Sequence, residues 1–463
     1  MTKKMTEGNP AKLIVMFTIP LLIGNIFQQL YNMADTLIVG RTIGVQALAA
    51  VGCTGSISFL ILGFAMGVSS GLAIITAQRF GAKDEEGVRK SVASSAWISL
   101  GVTIVLTAVS VPFARTILKI MRTPAEIMED AYRYIVIIFA GIIACMLFNL
   151  LSNIIRALGD SKTPLLFLVI ACVLNIVLDF ALILGAHMGV AGAAWATVTA
   201  QMASAVMCLF YIKKKLPILH LSKEDWRVDM RDIGQHFRVA MPMGFQMSII
   251  AIGAVVLQFV LNGLGSAAVA AFAAAQRIDQ IAGQPMSSFG ITMTTYAAQN
   301  YGAGKIDRIK KGVLQCSIIS VSFSIVVGLV NFFGGYQLAG LFVGAGETQV
   351  LYMAQLYLKI NGAMYFVLAM LFIFRYTLQG LGKGFMPTVA GIMELVMRTF
   401  AAIFLTTGIG FAGACWASPL AWIGACIPLA AAYFVTIKKL SISENQERFK
   451  RTKEVPCVEC AEH

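Results

Sequence analysis

Charged side chains are scarce in this chain, at 13% of 463 residues against about a quarter in an average soluble domain. With 58% hydrophobic residues and a mean hydropathy of +0.78, that deficit excludes an ordinary soluble enzyme of this length. Histidine is nearly absent, with four scattered copies, and there is neither an HExxH helix nor a hydrolase elbow. No GxxxxGK[ST] phosphate loop occurs, and no soluble stretch is long enough to hydrolyse ATP, which excludes a self-contained primary pump. The nine cysteines form no disulfide framework, since most stand singly inside apolar runs. Cys457 and Cys460 make a CxxC with His463 close behind, which reads as an inert tail more readily than as a metal site. The net charge of +13 suggests nucleic acid, but the basic residues lie in short loops between apolar runs, so no nucleic-acid partner is expected. No cleavable leader is expected either, because the polar residues 1–10 lead directly into the first apolar run.

What the chain has in abundance is apolar runs near the length that crosses a bilayer. Twelve can be marked: 13–39, 47–78, 91–113, 131–157, 164–184, 189–212, 236–261, 267–297, 312–335, 351–380, 387–407 and 411–437. The fold class expected is an all-α polytopic membrane protein with twelve transmembrane helices. Lys and Arg concentrate before the first run and after the second, fourth, sixth, eighth, tenth and twelfth. The loops after runs five, seven, nine and eleven contain none, and Arg41 and the 115–122 segment are the exceptions. By the positive-inside rule both termini face the cytoplasm.

The chain also repeats itself. Ala77-Gln78-Arg79-Phe80-Gly81-Ala82 is similar to Ala298-Gln299-Asn300-Tyr301-Gly302-Ala303, and Ala191–Thr197 is similar to Ala412–Ser418, both at an offset of 221. Two pseudo-symmetric six-helix lobes follow, an N-terminal lobe over 1–212 and a C-terminal lobe over 236–437. A basic cytoplasmic linker over 213–235 joins them, and a cytoplasmic tail covers 438–463. Each half spans an even number of times, so the repeat is parallel and the lobes face each other across a central cleft. That arrangement suits alternating access, although a channel can also be built from repeats.

Polar side chains inside such runs mark function, because a carboxylate in hydrocarbon costs roughly 2.5–3.5 kcal/mol even on lenient insertion scales. In the first run Asn25, Gln28, Asn32 and Asp35 recur at steps of three or four, which puts them on one helical face. Asp179 in the fifth run lies at the depth of Asp35, with Asn175 one turn away; Thr197 and Asn153 are candidates for the same pocket. Two acids on adjacent helices can share a proton or hold a small cation with oxygen ligands; the plainer alternative is that they cap helix ends. The matching second-half positions are apolar, so the pair belongs to the first lobe alone. The second half carries Gln276, Arg277, Asp279, Gln280 and Gln284 in run eight as cleft candidates, and Glu394 with Arg398 in run eleven as an i, i+4 pair. Arg375 is placed to snorkel at the end of run ten. Met33 is one of several methionines suited to a promiscuous apolar cavity.

Gln28-Gln29-Leu30-Tyr31-Asn32-Met33-Ala34-Asp35, Arg156-Ala157-Leu158-Gly159-Asp160, Asn175-Ile176-Val177-Leu178-Asp179, Ala275-Gln276-Arg277-Ile278-Asp279 and Leu378-Gln379-Gly380-Leu381-Gly382 together resemble the multidrug and toxic compound extrusion family, over residues 10–437. The resemblance implies a bacterial inner-membrane exporter that exchanges hydrophobic, often cationic compounds for protons or sodium, with the ion gradient in place of a cofactor and a monomer as the transport unit. It implies that Asp35, Asn175, Asp179 and Thr197 form the cation site, a sodium ion included, with Ala193 beside it. Some sodium-coupled members use acids in helices seven and ten; runs seven and ten here have none. The alternative considered is a flippase for a lipid-linked oligosaccharide, which would want several basic residues in the cleft.

Overall fold

The computed structural model describes residues 4–343 and 347–454, with side chains described through residue 444. The Cys457, Cys460 and His463 cluster lies outside the described residues. Twelve membrane-length helical segments follow one another: α1 (Pro10–Thr42), α2 (Val45–Gly81), α3 (Glu85–Ile120), α4 (Met128–Ala140 continued by Ile142–Ala157), α5 (Lys162–Gly185), α6 (Val190–Lys215), α7 (Met230–Asn262), α8 (Ser266–Gly302), α9 (Ile306–Gly340), α10 (Thr348–Gly380), α11 (Phe385–Ile409) and α12 (Phe411–Glu454). Ten are long and apolar enough to cross a bilayer singly, and α4, bent by 45°, makes an eleventh. The twelfth, α8, has the length of 37 residues but dilutes its hydropathy with Gln276, Arg277, Asp279, Gln280 and Gln284.

Most helices overrun the apolar runs that announced them. At 33 residues α1 is about 50 Å long, well beyond a hydrocarbon layer of about 30 Å. Polar caps set several of these starts. The Asn9 side chain accepts from the Ala11 N–H at 3.0 Å, that of Asp84 from Gly87 N–H at 2.8 Å, and that of Asp229 from Arg231 N–H at 2.9 Å. The helices also take up both ends of the 213–235 segment, since α6 runs to Lys215 and α7 begins at Met230. Likewise α12 continues past 437 to Glu454, so the described part of the tail extends the last helix.

The lobes are α1–α6 and α7–α12, and their turns are built alike. Gly44 and Gly265, both at positive φ, precede α2 and α8, and Gly189 and Gly410 do the same for α6 and α12. All four face a backbone conformation that a Cβ disfavours, and the partners in each pair are 221 residues apart. Within the second lobe α10 packs on α8, α9 and α12; across the lobes α2 packs on α7 and α8.

That cross-lobe contact fills the terminal half of the seam, from the end that carries residue 4 and the interlobe linker out to Ser248, whose hydroxyl donates to the Leu60 carbonyl at 3.4 Å. There Gln78 Nε2 donates to the Gly380 carbonyl at 2.8 Å, and Gln299 Nε2 to the Ala157 carbonyl at 2.7 Å. Arg79 pairs with Asp232, which also accepts from Ser94 Oγ at 2.7 Å. The N-terminal segment crosses the seam, with the Met5 N–H donating to Gln299 Oε1 at 2.9 Å and Met5 itself only 2% exposed. Gly67 and Gly71 of α2 let the backbone of α7 come so close that a Cβ would strike Met243 and Ala240. Further out, a Cβ at Gly52 or Gly55 would meet nothing, and Phe59, Val255 and Phe259 are exposed. The cleft is sealed at the terminal end and open at the other.

Candidate cation site

Helix α1 serves both lobes. Near the terminal end its Thr18 hydroxyl shares a 2.8 Å hydrogen bond with Thr292 of α8, and Asn25 Nδ2 donates to Ser288 Oγ at 3.0 Å. The polar stripe then divides along its length. Gln28 is half-buried, and Asn32 and Met33 are exposed beyond the last of these cross-lobe bonds, whereas Asp35 turns into its own lobe. There its carboxyl comes within hydrogen-bonding reach of Asp179 on α5.

Asp179 and Asn175 are fully buried one turn apart on α5. With its amide nitrogen toward the acid, Asn175 donates to Asp179 Oδ2 at 3.1 Å, and its oxygen accepts from the Thr197 backbone N–H at 3.2 Å. The Thr197 hydroxyl accepts from Tyr31 at 3.2 Å, and Tyr134 stands beside both acids. Ala193, one turn from Thr197, is fully buried in a cluster with Ile38, Val39 and Ile183, where its small side chain lets α6 approach α1 and α5. Asp35, Asn175, Asp179 and Thr197 therefore share one pocket. Two oxygens in it, Oδ1 of Asp35 and Oδ1 of Asp179, have no hydrogen-bond partner. Two carboxylates this close repel unless a proton or a small cation lies between them, and the unpartnered oxygens are where either would be held. Among the described residues no group of three or more His, Cys, Asp or Glu side chains is arranged to hold a metal.

Directly after Asp179 the helix widens into a π-helical turn, Phe180–Gly185. Such turns often accompany functional sites. Here the second lobe has its own at Ala401–Leu405, following Phe400 where the first lobe has Asp179. The turn belongs to the duplicated fold, and the acid is particular to the first lobe.

Three expectations are corrected by the geometry. Asn153 lies away from the acid pair: it stands near the terminal end of α4, donating to Ser70 Oγ at 3.3 Å and accepting from Arg156 at 3.0 Å. The reason is direction, since α4 runs back toward the end at which α5 only begins. Asp279 does not look into the cleft. It faces α10, where the Tyr365 hydroxyl donates to it at 2.6 Å and the Tyr357 hydroxyl at 3.5 Å. Arg375 does not snorkel; it is 3% exposed and reaches Glu394 Oε2 at 2.7 Å, while Arg398 takes Glu394 Oε1 at 2.9 Å. The remaining candidates Gln276, Arg277, Gln280 and Gln284 are all on α8, with Arg277 and Gln280 exposed. Sequence reasoning missed Tyr31 and Tyr134. Tyr31 is one turn from Asp35 and was open to notice; nothing in the α4 sequence distinguishes Tyr134.

A family model described as MatE matches residues 20–181 and again 242–404, once in each lobe. The chain belongs to the MatE family. Its members are multidrug efflux transporters of the membrane. The probable multidrug resistance protein YoeA of Bacillus subtilis is 28% identical over 401 residues, covering 85% of this chain and 86% of that one. YpnP of the same organism, also a probable multidrug resistance protein, is 32% identical over 306 residues, or 66% of this chain and 68% of that one. Among solved structures, a MATE protein in complex with MaL6 superposes with a TM-score of 0.88 at 25% identity, covering 95% of this chain and 100% of that chain. The two-lobed twelve-helix architecture is thus the MatE fold. These relatives do not favour the flippase alternative.

Proposed function

We propose that this MatE protein is a secondary antiporter that expels hydrophobic, often cationic organic compounds in exchange for protons or sodium. The observation that carries the reading is the meeting of Asp35 and Asp179 in one buried pocket with an unpartnered oxygen on each. Among the described residues no base neutralises them, so the balancing charge comes from outside. Asp35 and Asp179 are the coupling carboxylates; Asn175 orients Asp179, and Thr197 offers a hydroxyl oxygen. If the cation is sodium, these four residues hold it. The energy source is the ion gradient, and no other cofactor is required.

The coupling follows from the double attachment of α1. A cation arriving at Asp35 acts on the helix whose other end is bonded to α8 through Thr18 and Asn25. Loading and unloading therefore bias whether the terminal seam stays shut or opens. The bacterial relatives support a bacterial inner-membrane location, and the distribution of Lys and Arg supports both termini in the cytoplasm, which makes the present state outward-open. A single chain contains both lobes and the cleft, in keeping with a monomeric transport unit working in the bilayer without nucleic acid.

Purified protein in liposomes, given a pH or sodium gradient and a fluorescent organic cation, tests the proposal. Asp35→Asn and Asp179→Asn are expected to abolish gradient-driven movement of the dye. Undiminished transport in both variants would remove the acids from the mechanism.

A further inference from the structure

Among the described residues Arg277 differs from Arg375 and Arg398 in having no acid to hold. Arg375 and Arg398 both hold Glu394. Arg277 is exposed and makes no side-chain hydrogen bond or ion pair among the described residues. Asp279, two positions along the helix, points to the opposite side and is held by tyrosine hydroxyls.

Spacing and exposure together indicate where Arg277 points, on the stretch of α8 beyond Pro285. Thr292, Ser288, Gln284, Ile281, Arg277 and Ala273 follow at steps of three or four and share one face of α8. At the terminal end that face touches the first lobe, through Thr18 on Thr292 and Asn25 on Ser288. Further along the lobes part and the face opens: Ile281, Arg277 and Ala273 are exposed, with Gln280 beside them. Arg277 therefore faces the open cleft. It lies 11 residues from the nearer helix end at Ser266, about 16 Å of rise, and because the 37-residue helix overruns the hydrocarbon layer this places it in the outer part of the cleft. Asn32 continues the same phase on α1, seven residues from Asn25, and is exposed opposite it.

A guanidinium flanked by primary amides offers a planar fork of donors matched to an oxyanion. The first lobe meanwhile holds two acids. We propose that Arg277 is an anion subsite of the transport cleft, so that the preferred substrates are amphiphiles bearing a carboxylate, sulfonate or phosphate, with or without a cationic centre. Gln280 and Gln284 on the same wall and Asn32 opposite supply adaptable further donors. The inference rests on the exporter reading and narrows its substrate class.

A matched dye pair tests it: a cationic rhodamine methyl ester and the zwitterionic acid from which it derives. Binding to the purified full chain is followed by fluorescence polarisation, and uptake or efflux in liposomes by dye fluorescence. The unmodified protein is expected to favour the acid. Arg277→Gln lowers the acid-to-ester affinity ratio about tenfold, Arg277→Lys keeps most of it, and Arg277→Glu reverses the preference. Thermal unfolding of each variant is recorded alongside. Transport of the ester with a ratio that Arg277→Gln leaves unchanged, or equal weakening of both dyes, overturns the subsite while the exporter reading stands. Failure of the unmodified protein to bind or move either dye overturns both.

Discussion

The two lobes repeat one backbone and treat buried charge in opposite ways. In the second, Glu394 is gripped by Arg375 and Arg398, and Asp279 is held by two tyrosine hydroxyls with Arg398 close enough to act on it. Two acids meet two bases, and the cluster is neutral on its own. In the first, Asp35 and Asp179 face each other with no base beside them among the described residues. Both lobes carry the same π-helical turn at matching positions, so the backbone provided the same opportunity twice. The difference teaches that duplication fixed the scaffold and divergence of a few side chains assigned the work: the Glu394 and Asp279 cluster of the second lobe is balanced by Arg375 and Arg398, and the acid pair of the first lacks a positive charge that a transported cation can supply.

The comparison breaks most visibly if both clusters respond alike to losing an acid. Glu394→Gln leaves Arg375 and Arg398 without their shared carboxylate, and removing one member of a buried pair costs about 3–5 kcal/mol. Asp179→Asn instead relieves a repulsion and is expected to leave thermal stability unchanged or higher. Unfolding of the two purified variants in one detergent measures both. Equal losses would mean the first-lobe acids are as well paired as the second-lobe ones.

Where the lobes are alike, their variants must behave alike. Gly81 lies against the Gln299 backbone of the other lobe, and Gly302 against the Gln78 backbone, so a Cβ on either collides with a main chain that cannot step aside. Gly81→Ala and Gly302→Ala are each expected to weaken terminal-end closure by about 1–3 kcal/mol. Thiol labelling of a cysteine placed at Ala73, which is buried in the seam against Val239 and Met243, run on both variants, reports the opening. A large effect from one glycine and none from the other would refute the equivalence of the two halves of the seam.

The acid pair was legible because polar residues stand out in apolar runs and depth can be counted from helix ends. The repeat was legible through Gln78-Arg79-Phe80-Gly81 and its counterpart. Azimuth was not: Asp279 and Arg277 are neighbours in sequence, and which one meets the cleft depends on the packing of α8 against α1 and α10. Partners arriving from other helices were equally hidden, as Arg375 on Glu394 and Tyr134 beside the acids illustrate. Asn153 was misplaced because only its run was considered: the fourth run returns toward the terminal end, and four residues before its close Asn153 is already there. Helix bounds fell short because apolarity ends at the membrane while the caps at Asn9, Asp84 and Asp229 lie beyond it.

The smallest expected effect divides the two candidate cations. Thr197→Val keeps the shape of the side chain but removes the hydroxyl that accepts from Tyr31 and stands beside the Asn175–Asp179 pair. One hydrogen bond or one oxygen ligand is worth about 1 kcal/mol, or roughly fivefold in affinity. A sodium ion needs several oxygens, and losing one should raise its half-saturating concentration by about that factor. A proton sits on a single carboxyl oxygen, so proton-driven transport should change by less than about twofold. Rates against sodium at fixed pH, and against pH without sodium, read the two responses separately. A variant that loses both drives equally would make Thr197 a prop for the acids and remove it from the ligand set.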